Sequence, residues 1–363
     1  ITLTDPAMSR YFMTIPEAAA LSMAAGAMTE GPDAETYVLD MGEPVNMGDL
    51  ARRYLRAVGC PETAVRVVGA RPGERLEVPM DDGTGDVIVA SLHRPQGGMP
   101  AQRPLVVVIH GLTGCEDSAY VRASARHLLR CGFPVMRLNL RGAGPSRPLC
   151  RQTYHAGRSD DLHRVLCAMD GRLAARGICV VGFSVGGNIL LKYLGEMGRR
   201  APVLAAATVS APIDLAATER RMRRRRNSLY HDYILAGLKR EASAIPGLPA
   251  EIRNVLPSIG SLREFDERLT APTNGFTGAE DYYERCKAVR FMPEVTVPTL
   301  VIHALNDPWI PAEPYLNFAW STNPRLLPLL PRAGGHVGFH GLGSWTPWHD
   351  RCIAAFFARM AGA

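Results

Sequence analysis

Gly182-Phe183-Ser184-Val185-Gly186-Gly187 joins two stretches of opposite texture. The apolar run Ile178 to Phe183 leads into it, and Asn188-Ile189-Leu190-Leu191-Lys192-Tyr193, helical in pattern, follows it. A strand passing into a helix through so short a turn projects the Ser184 hydroxyl away from the backbone. The glycines two positions to either side let the chain turn without Cβ clashes, and the helix N-terminus behind the serine favours developing negative charge. Gly-x-Ser-x-Gly alone is a weak signal, because both residues are common in loops. The strand–turn–helix setting gives it weight, and Ser184 is read as a nucleophile.

Working outward, the chain alternates strands and helices. Strand candidates are Val87 to His93, Leu105 to His110, Pro134 to Leu140, Ile178 to Phe183, Leu204 to Ser210, Thr299 to Ala304 and Arg325 to Leu330. Several are near-continuous apolar runs, as parallel strands buried on both faces require. Tyr120 to Arg130 and Gly187 to Met197 are among the helical stretches between them. The expected fold is α/β, a doubly wound and mostly parallel sheet. Residues 216–294 interrupt the alternation with helical patterning and no clear strand, and are expected to form a helical cap. The core is then 76–215 together with 295–363.

A serine hydroxyl needs a base, and the base an orienting acid. At strand–turn–helix nucleophiles of this kind the chain order is serine, carboxylate, histidine. The strand at Thr299 ends in Leu305-Asn306-Asp307-Pro308, and the next apolar stretch leads to Ala333-Gly334-Gly335-His336-Val337-Gly338. Asp307 and His336 thus sit on successive loops in the required order. Asn306 cannot balance an imidazolium charge, and Asp350 follows His336 and breaks the order. His340 lacks the flanking glycines and stays a weaker rival. His303, inside a strand, reads as a satisfied core or near-site histidine. The loop His110-Gly111-Leu112-Thr113-Gly114 can present the Leu112 N–H to an oxyanion, with the Val185 N–H as second donor.

Composition bounds the rest. The 363 residues are 47% hydrophobic and 21% charged, which excludes a disordered or fibrous chain. A formal charge of +6 is no nucleic-acid signature at this length. The longest apolar runs, such as Pro202 to Pro212, are far shorter than the ~20 residues that span a bilayer. No signal-peptide pattern opens the chain, which starts at Ile1 rather than Met, so the visible start is expected to be trimmed or inherited from a longer reading frame. The eight cysteines form no Cys-x-x-Cys and read as reduced, buried thiols of a cytoplasmic protein.

The sequence resembles the α/β-hydrolase family, specifically its YheT-like branch of carboxylesterases, over nearly all of residues 76–363. The resemblance rests on His110-Gly111-Leu112, Tyr154-His155-Ala156-Gly157, the segment Gly182 to Asn188, Lys192-Tyr193-Leu194-Gly195-Glu196, Pro272-Thr273-Asn274-Gly275-Phe276, Asp307-Pro308 and Gly335-His336-Val337-Gly338-Phe339. It implies a Ser184–Asp307–His336 triad hydrolysing carboxylic esters, with short-to-medium acyl chains favoured and no metal or cofactor. Tyr154-His155 reads as a structural loop anchor. Residues 1–75 resemble instead the C-terminal part of polysaccharide-biosynthesis nucleotide-sugar dehydratases and epimerases, through Arg10 to Ala18, Val38 to Val45 and Gly69 to Glu74. Their dinucleotide motif Gly-x-Gly-x-x-Gly is missing from the chain, so the segment is expected to be a remnant without cofactor chemistry, joined near Arg71 to Leu76. Within it, Pro16 to Ala25 and Asp49 to Val58 read as helices, and Thr36 to Met41 and Val65 to Val68 as short apolar or β-branched runs.

Arg220-Arg221-Met222-Arg223-Arg224-Arg225-Arg226 reads first as a solvated cap helix, and second as steering for an anionic substrate. Trp309 and Phe276 are candidate pocket walls. The expected function is a serine carboxylesterase acting on a small-molecule ester, with no nucleic-acid partner and no transmembrane segment. An acyltransferase, a thioesterase or an amidase would use the same triad; a non-catalytic binding module would not need it.

Overall fold

The computed structural model describes residues 73–95, 103–341, 344 and 346–362, with 2–3, 9–10, 45–57 and 66–67 nearer the N-terminus. It divides into two compact units, Ile1–Gly73 and Glu74–Ala363. In the first, Thr2–Leu3 pairs in parallel with Arg66–Val67, and Ser9–Arg10 pairs antiparallel with Val45–Asn46. An amphipathic helix spans Met47–Ala57 with Leu55 buried. The helix expected at Pro16 to Ala25 and the run at Thr36 to Met41 lie outside the described residues.

The second unit is built on an eight-stranded sheet. Its strands are β1 (Glu74–Pro79), β2 (Val87–His93), β3 (Leu105–Ile109), β4 (Val135–Leu138), β5 (Ile178–Phe183), β6 (Ala205–Val209), β7 (Thr299–Ile302) and β8 (Leu326–Leu329). Their order across the sheet is β8-β7-β6-β5-β3-β4-β2-β1. β2 runs antiparallel to both its neighbours; the remaining pairs are parallel.

The alternation of side chains explains the layers. In β3, Leu105, Val107 and Ile109 enter one buried apolar cluster while Val106 and Val108 enter another; β5 divides likewise between Ile178 and Val180 and Cys179, Val181 and Phe183. The first cluster is closed by α2 (Ser159–Cys167) and α3 (Val185–Met197), through Leu162, Val165, Ile189 and Leu190. The second is closed by α1 (Ala119–Arg130) and α9 (Trp348–Met360), through Val121, Leu128, Ile353 and Phe357. A strand apolar on both faces thus demands helices on both faces.

Between β6 and β7 the chain is helical, including α4 (Leu215–Met222), α5 (Ser228–Ser243), α6 (Ala250–Val255), α7 (Leu262–Phe265) and α8 (Ala279–Cys286). This insertion has a core of its own, in which Met222, Ile234, Leu235, Leu256 and Phe265 pack together, with Leu112 and Trp309 against it.

Three expectations are corrected. Glu74 and Arg75, read as part of a junction, begin β1, an edge strand in which Val78 alone is buried and which Pro79 ends. The arginine run is not one helix. Arg220 and Arg221 lie in α4, and Arg225–Asn227 form a separate 3₁₀ turn. Of the seven described cysteines, all free, Cys150, Cys179 and Cys286 are buried, whereas Cys167 is exposed. No helix of the described residues is long and apolar enough to cross a membrane.

Candidate active site

Ser184 caps α3 with φ 49° and ψ −123°, a strained conformation for a non-glycine residue. The surrounding backbone leaves no room to relax it. A Cβ on Gly182 would meet the Gly186 carbonyl oxygen at 2.5 Å, and one on Gly186 would meet the His110 carbonyl oxygen at 2.5 Å. The Ser184 N–H donates to the Val209 carbonyl at 2.9 Å, and the Ser184 carbonyl accepts from Gly187 at 2.8 Å. The glycines therefore serve close packing of the turn against β3 and α3.

Asp307 and His336 meet at the ends of β7 and β8, with Nδ1 of His336 2.8 Å from Oδ2 of Asp307. Oδ1 accepts from the Trp309 and Ile310 amides at 2.9 and 3.0 Å. Burial pushes the Asp307 carboxyl upward, but the His336 contact and these two amides outweigh it and hold it below its ordinary value. An ionised carboxylate on Nδ1 fixes the imidazole so that Nε2 is left as the base. Asn306 accepts from the Gly334 and Gly335 amides, both at 3.0 Å, and so holds the loop that carries His336. Ser184 and His336 line the same cavity; among the described residues no hydrogen bond joins them. Such contacts are commonly long before a substrate is bound.

The loop after β3 supplies the contrast on which an oxyanion site depends. The Gly111 N–H donates to the Tyr120 hydroxyl and the Thr113 N–H to the Tyr154 hydroxyl, both at 2.7 Å, and the Gly114 N–H to the Gly111 carbonyl at 3.1 Å. Among the described residues the Leu112 N–H between them has no acceptor, nor does the Val185 N–H that opens α3. Two unsatisfied amides beside a strained serine are what a developing oxyanion requires.

The cavity is walled chiefly by the insertion, through Leu215, Met222, Ile234, Leu262 and Phe265, with Trp309 near His336 at 4.7 Å between ring centroids. No lysine or arginine is among its described lining residues. Its carboxyl groups include Glu241, pushed by burial up to about 7, and Asp266, pushed by burial up to about 6. Phe276 sits behind the wall, packed on His155 and Tyr282. His340 is exposed. His303, read as a satisfied core or near-site histidine, is buried and stacked on Tyr315 with neither ring nitrogen hydrogen-bonded among the described residues, and the charges of Asp307 and His336 act on it, so the near-site alternative fits.

Comparison with known proteins decides the family. Residues 104–341 match the family described as alpha/beta hydrolase fold. The chain belongs to the α/β-hydrolase family.

This α/β hydrolase is 33% identical to the YheT protein of Escherichia coli over 74% of its own length and 78% of that protein. It is 32% identical to medium-chain fatty acid ethyl ester synthase/esterase 2 of Saccharomyces cerevisiae and 29% identical to the monoacylglycerol lipase of the same yeast. Those matches cover 71% and 70% of this chain, but 62% and 59% of the yeast proteins, less than two thirds of their length. Esterase Pf2001 of Pyrococcus furiosus shares the fold, with a TM-score of 0.53 at 17% identity over 79% of this chain and 92% of that one. Residues 1–84 match a different family, described as polysaccharide biosynthesis protein, and that match runs through β1.

Tyr154, read from the sequence as a loop anchor, has that part here, and the sequence did not show its partners. Its hydroxyl accepts the Thr113 amide and lies 3.2 Å from Glu241, linking the loop after β3 to α5. Asn188 was quoted only as part of a motif. Its side chain bonds the carbonyls of Ala156 and Cys286 and the Ala288 amide, all at 2.9 Å, so it fastens α3 to the Tyr154 loop and to the end of α8.

Proposed function

We propose that this α/β hydrolase is a serine carboxylesterase working through Ser184, His336 and Asp307, without metal or cofactor. The observation that carries the reading is the pair of unsatisfied amides, Leu112 and Val185, beside a serine held in strain in the wall of the cavity that His336 also lines. His336 takes the Ser184 proton as Oγ attacks the ester carbonyl, and Asp307 stabilises the imidazolium. The Leu112 and Val185 amides hold the tetrahedral oxyanion. His336 then protonates the leaving alkoxide, and a water repeats the cycle on the acyl-enzyme.

The apolar lining supports a small-molecule ester with a short-to-medium acyl chain. Residues 216–294 act as a cap that sizes the pocket, and residues 1–75 contribute no cofactor site. The reduced cysteines fit a cytoplasmic setting. An acyltransferase is the second reading, favoured by the similarity to a protein named as both synthase and esterase.

The test is hydrolysis of p-nitrophenyl esters from acetyl to palmitoyl, with and without added ethanol, by the parent and by Ser184→Ala. We expect an optimum below the longest chains and a loss of ~10⁴–10⁶ in kcat with the serine removed. Activity of Ser184→Ala within tenfold of the parent would mean a different nucleophile. Diversion of the acyl group to ethanol would favour the second reading.

A further inference from the structure

The six arginines of residues 220–226 are used neither by the sheet nor by the catalytic groups. Met222 and Asn227 are buried and anchor the segment, while Arg220, Arg223, Arg224, Arg225 and Arg226 are exposed. Arg221 and Asn227 donate to the carbonyls of Asp307 and Pro308, at 3.3 and 3.0 Å, and Arg223 pairs with Glu219 at 2.8 Å. The segment is therefore pinned beside the Asp307 loop with most of its charge turned to solvent. The acids beside it are Glu219, paired with Arg223, Asp214 and Glu313 in the cleft that Arg220, Arg221 and Arg224 line, and Asp232 further along α5, so four carboxylates face six arginines.

Directly after the arginines, α5 presents Leu229 and Tyr233, 61% and 64% exposed and one helical turn apart. Tyr230, next to Leu229, is half-buried between them and the cavity: its ring lies 6.2 Å from that of Tyr233 and stacks on Trp309 in the cavity wall with centroids 3.4 Å apart. On another side, Arg220, Arg221 and Arg224 line a surface cleft with Pro314 and Phe318. Leu316, in the same segment, is 59% exposed. A purely solvated face has no use for large apolar side chains set among arginines. A nucleic-acid backbone would take the charges but has no place for Leu229.

We propose that this face docks the protein onto an anionic lipid bilayer. The arginines meet headgroup phosphates, and Leu229 and Tyr233 enter the boundary between headgroups and acyl chains. Docking there sets the Tyr230–Trp309 wall of the cavity next to the lipid, so an apolar ester can pass from bilayer to pocket without crossing water. The surface stands independently of which residue is the nucleophile.

The experiment is co-sedimentation of the full chain with vesicles of phosphatidylcholine alone or with one quarter phosphatidylglycerol, at low and physiological salt, with no turnover measured. The expected result is binding to the phosphatidylglycerol vesicles that weakens with salt. It should fall at least ~20-fold in Arg224→Glu/Arg225→Glu, and fall with its salt dependence intact in Leu229→Ser/Tyr233→Ser. Circular dichroism melting at the parental midpoint shows that each variant is folded. Equal binding to both vesicle types, no loss on charge reversal, or tighter binding to double-stranded DNA with the same charge dependence would overturn the proposal.

Discussion

Three histidine–carboxylate pairs occur among the described residues; His231–Asp232 has an exposed carboxylate, while the pair at the ends of β7 and β8 and the pair at the start of α9 have buried ones. His336 and Asp307 are 2.8 Å apart; His349 Nε2 and Asp350 Oδ1 are 3.3 Å apart. Both carboxylates are buried, with Asp307 at 0% and Asp350 at 1% exposure. Their surroundings drive them in opposite directions. Asp307 accepts two backbone amides and the imidazole and is held below its ordinary value. The Asp350 carboxyl accepts no backbone amide among the described residues, and burial outweighs the nearby Ser124 hydroxyl and pushes it up to about 7; burial pushes His349 down to about 3. The first pair is set to carry charge, the second to avoid it. Closeness of a histidine and an acid is thus not what fits them for catalysis; amides aimed at the carboxylate are.

Exchanging the acid for its amide should separate the pairs most sharply. Asp307→Asn is expected to lower kcat by ~10⁴, since the amide leaves His336 in the wrong tautomer, whereas Asp350→Asn should leave kcat within about twofold of the parent. Initial rates on one soluble p-nitrophenyl ester decide it, and equal losses would erase the distinction. Stability should move the other way. Because Asp350 is raised in the folded state to about 7, against ~4 unfolded, the unfolded chain ionises first as pH rises. The parent therefore loses stability between these values, and Asp350→Asn should gain up to ~4 kcal/mol, a gap that widens from pH 5 to pH 8 in urea melts. A gap independent of pH would show that folding does not raise the Asp350 carboxyl.

A smaller effect tests whether amide placement matters on the oxyanion side as it does at Asp307. Tyr154→Phe removes the acceptor of the Thr113 N–H, and kcat should fall about 3–10-fold, the equivalent of one hydrogen bond, with KM little changed. An unchanged kcat would mean the loop is held without Tyr154.

The sequence revealed strands β3 to β7 because they are apolar on both faces, so their runs are long and unbroken. Their ends came out a residue or two too long, at His110, Ser210 and Ala304, because these residues are as buried as the strands they follow although the strands end at Ile109, Val209 and Ile302. The strand β1 was hidden by its charged edge. The insertion gave only a helical texture, since its 3₁₀ and π turns lack a steady 3.6-residue period. Asp307 and His336 could be read from loop order. Tyr154 could be read as a loop anchor, but neither its partners nor the part of Asn306 could, because both accept backbone amides from distant residues, 41 positions away for Tyr154, and such pairing leaves no spacing pattern.

The most direct test of the account is covalent labelling of the full chain with a fluorophosphonate, followed by intact mass and peptide mapping. The account predicts one label per chain, on Ser184 in the peptide around Gly182-Phe183-Ser184-Val185-Gly186, with labelling slowed severely in His336→Ala and not in His349→Ala. A label on another residue, or labelling of Ser184 that ignores His336, would contradict it.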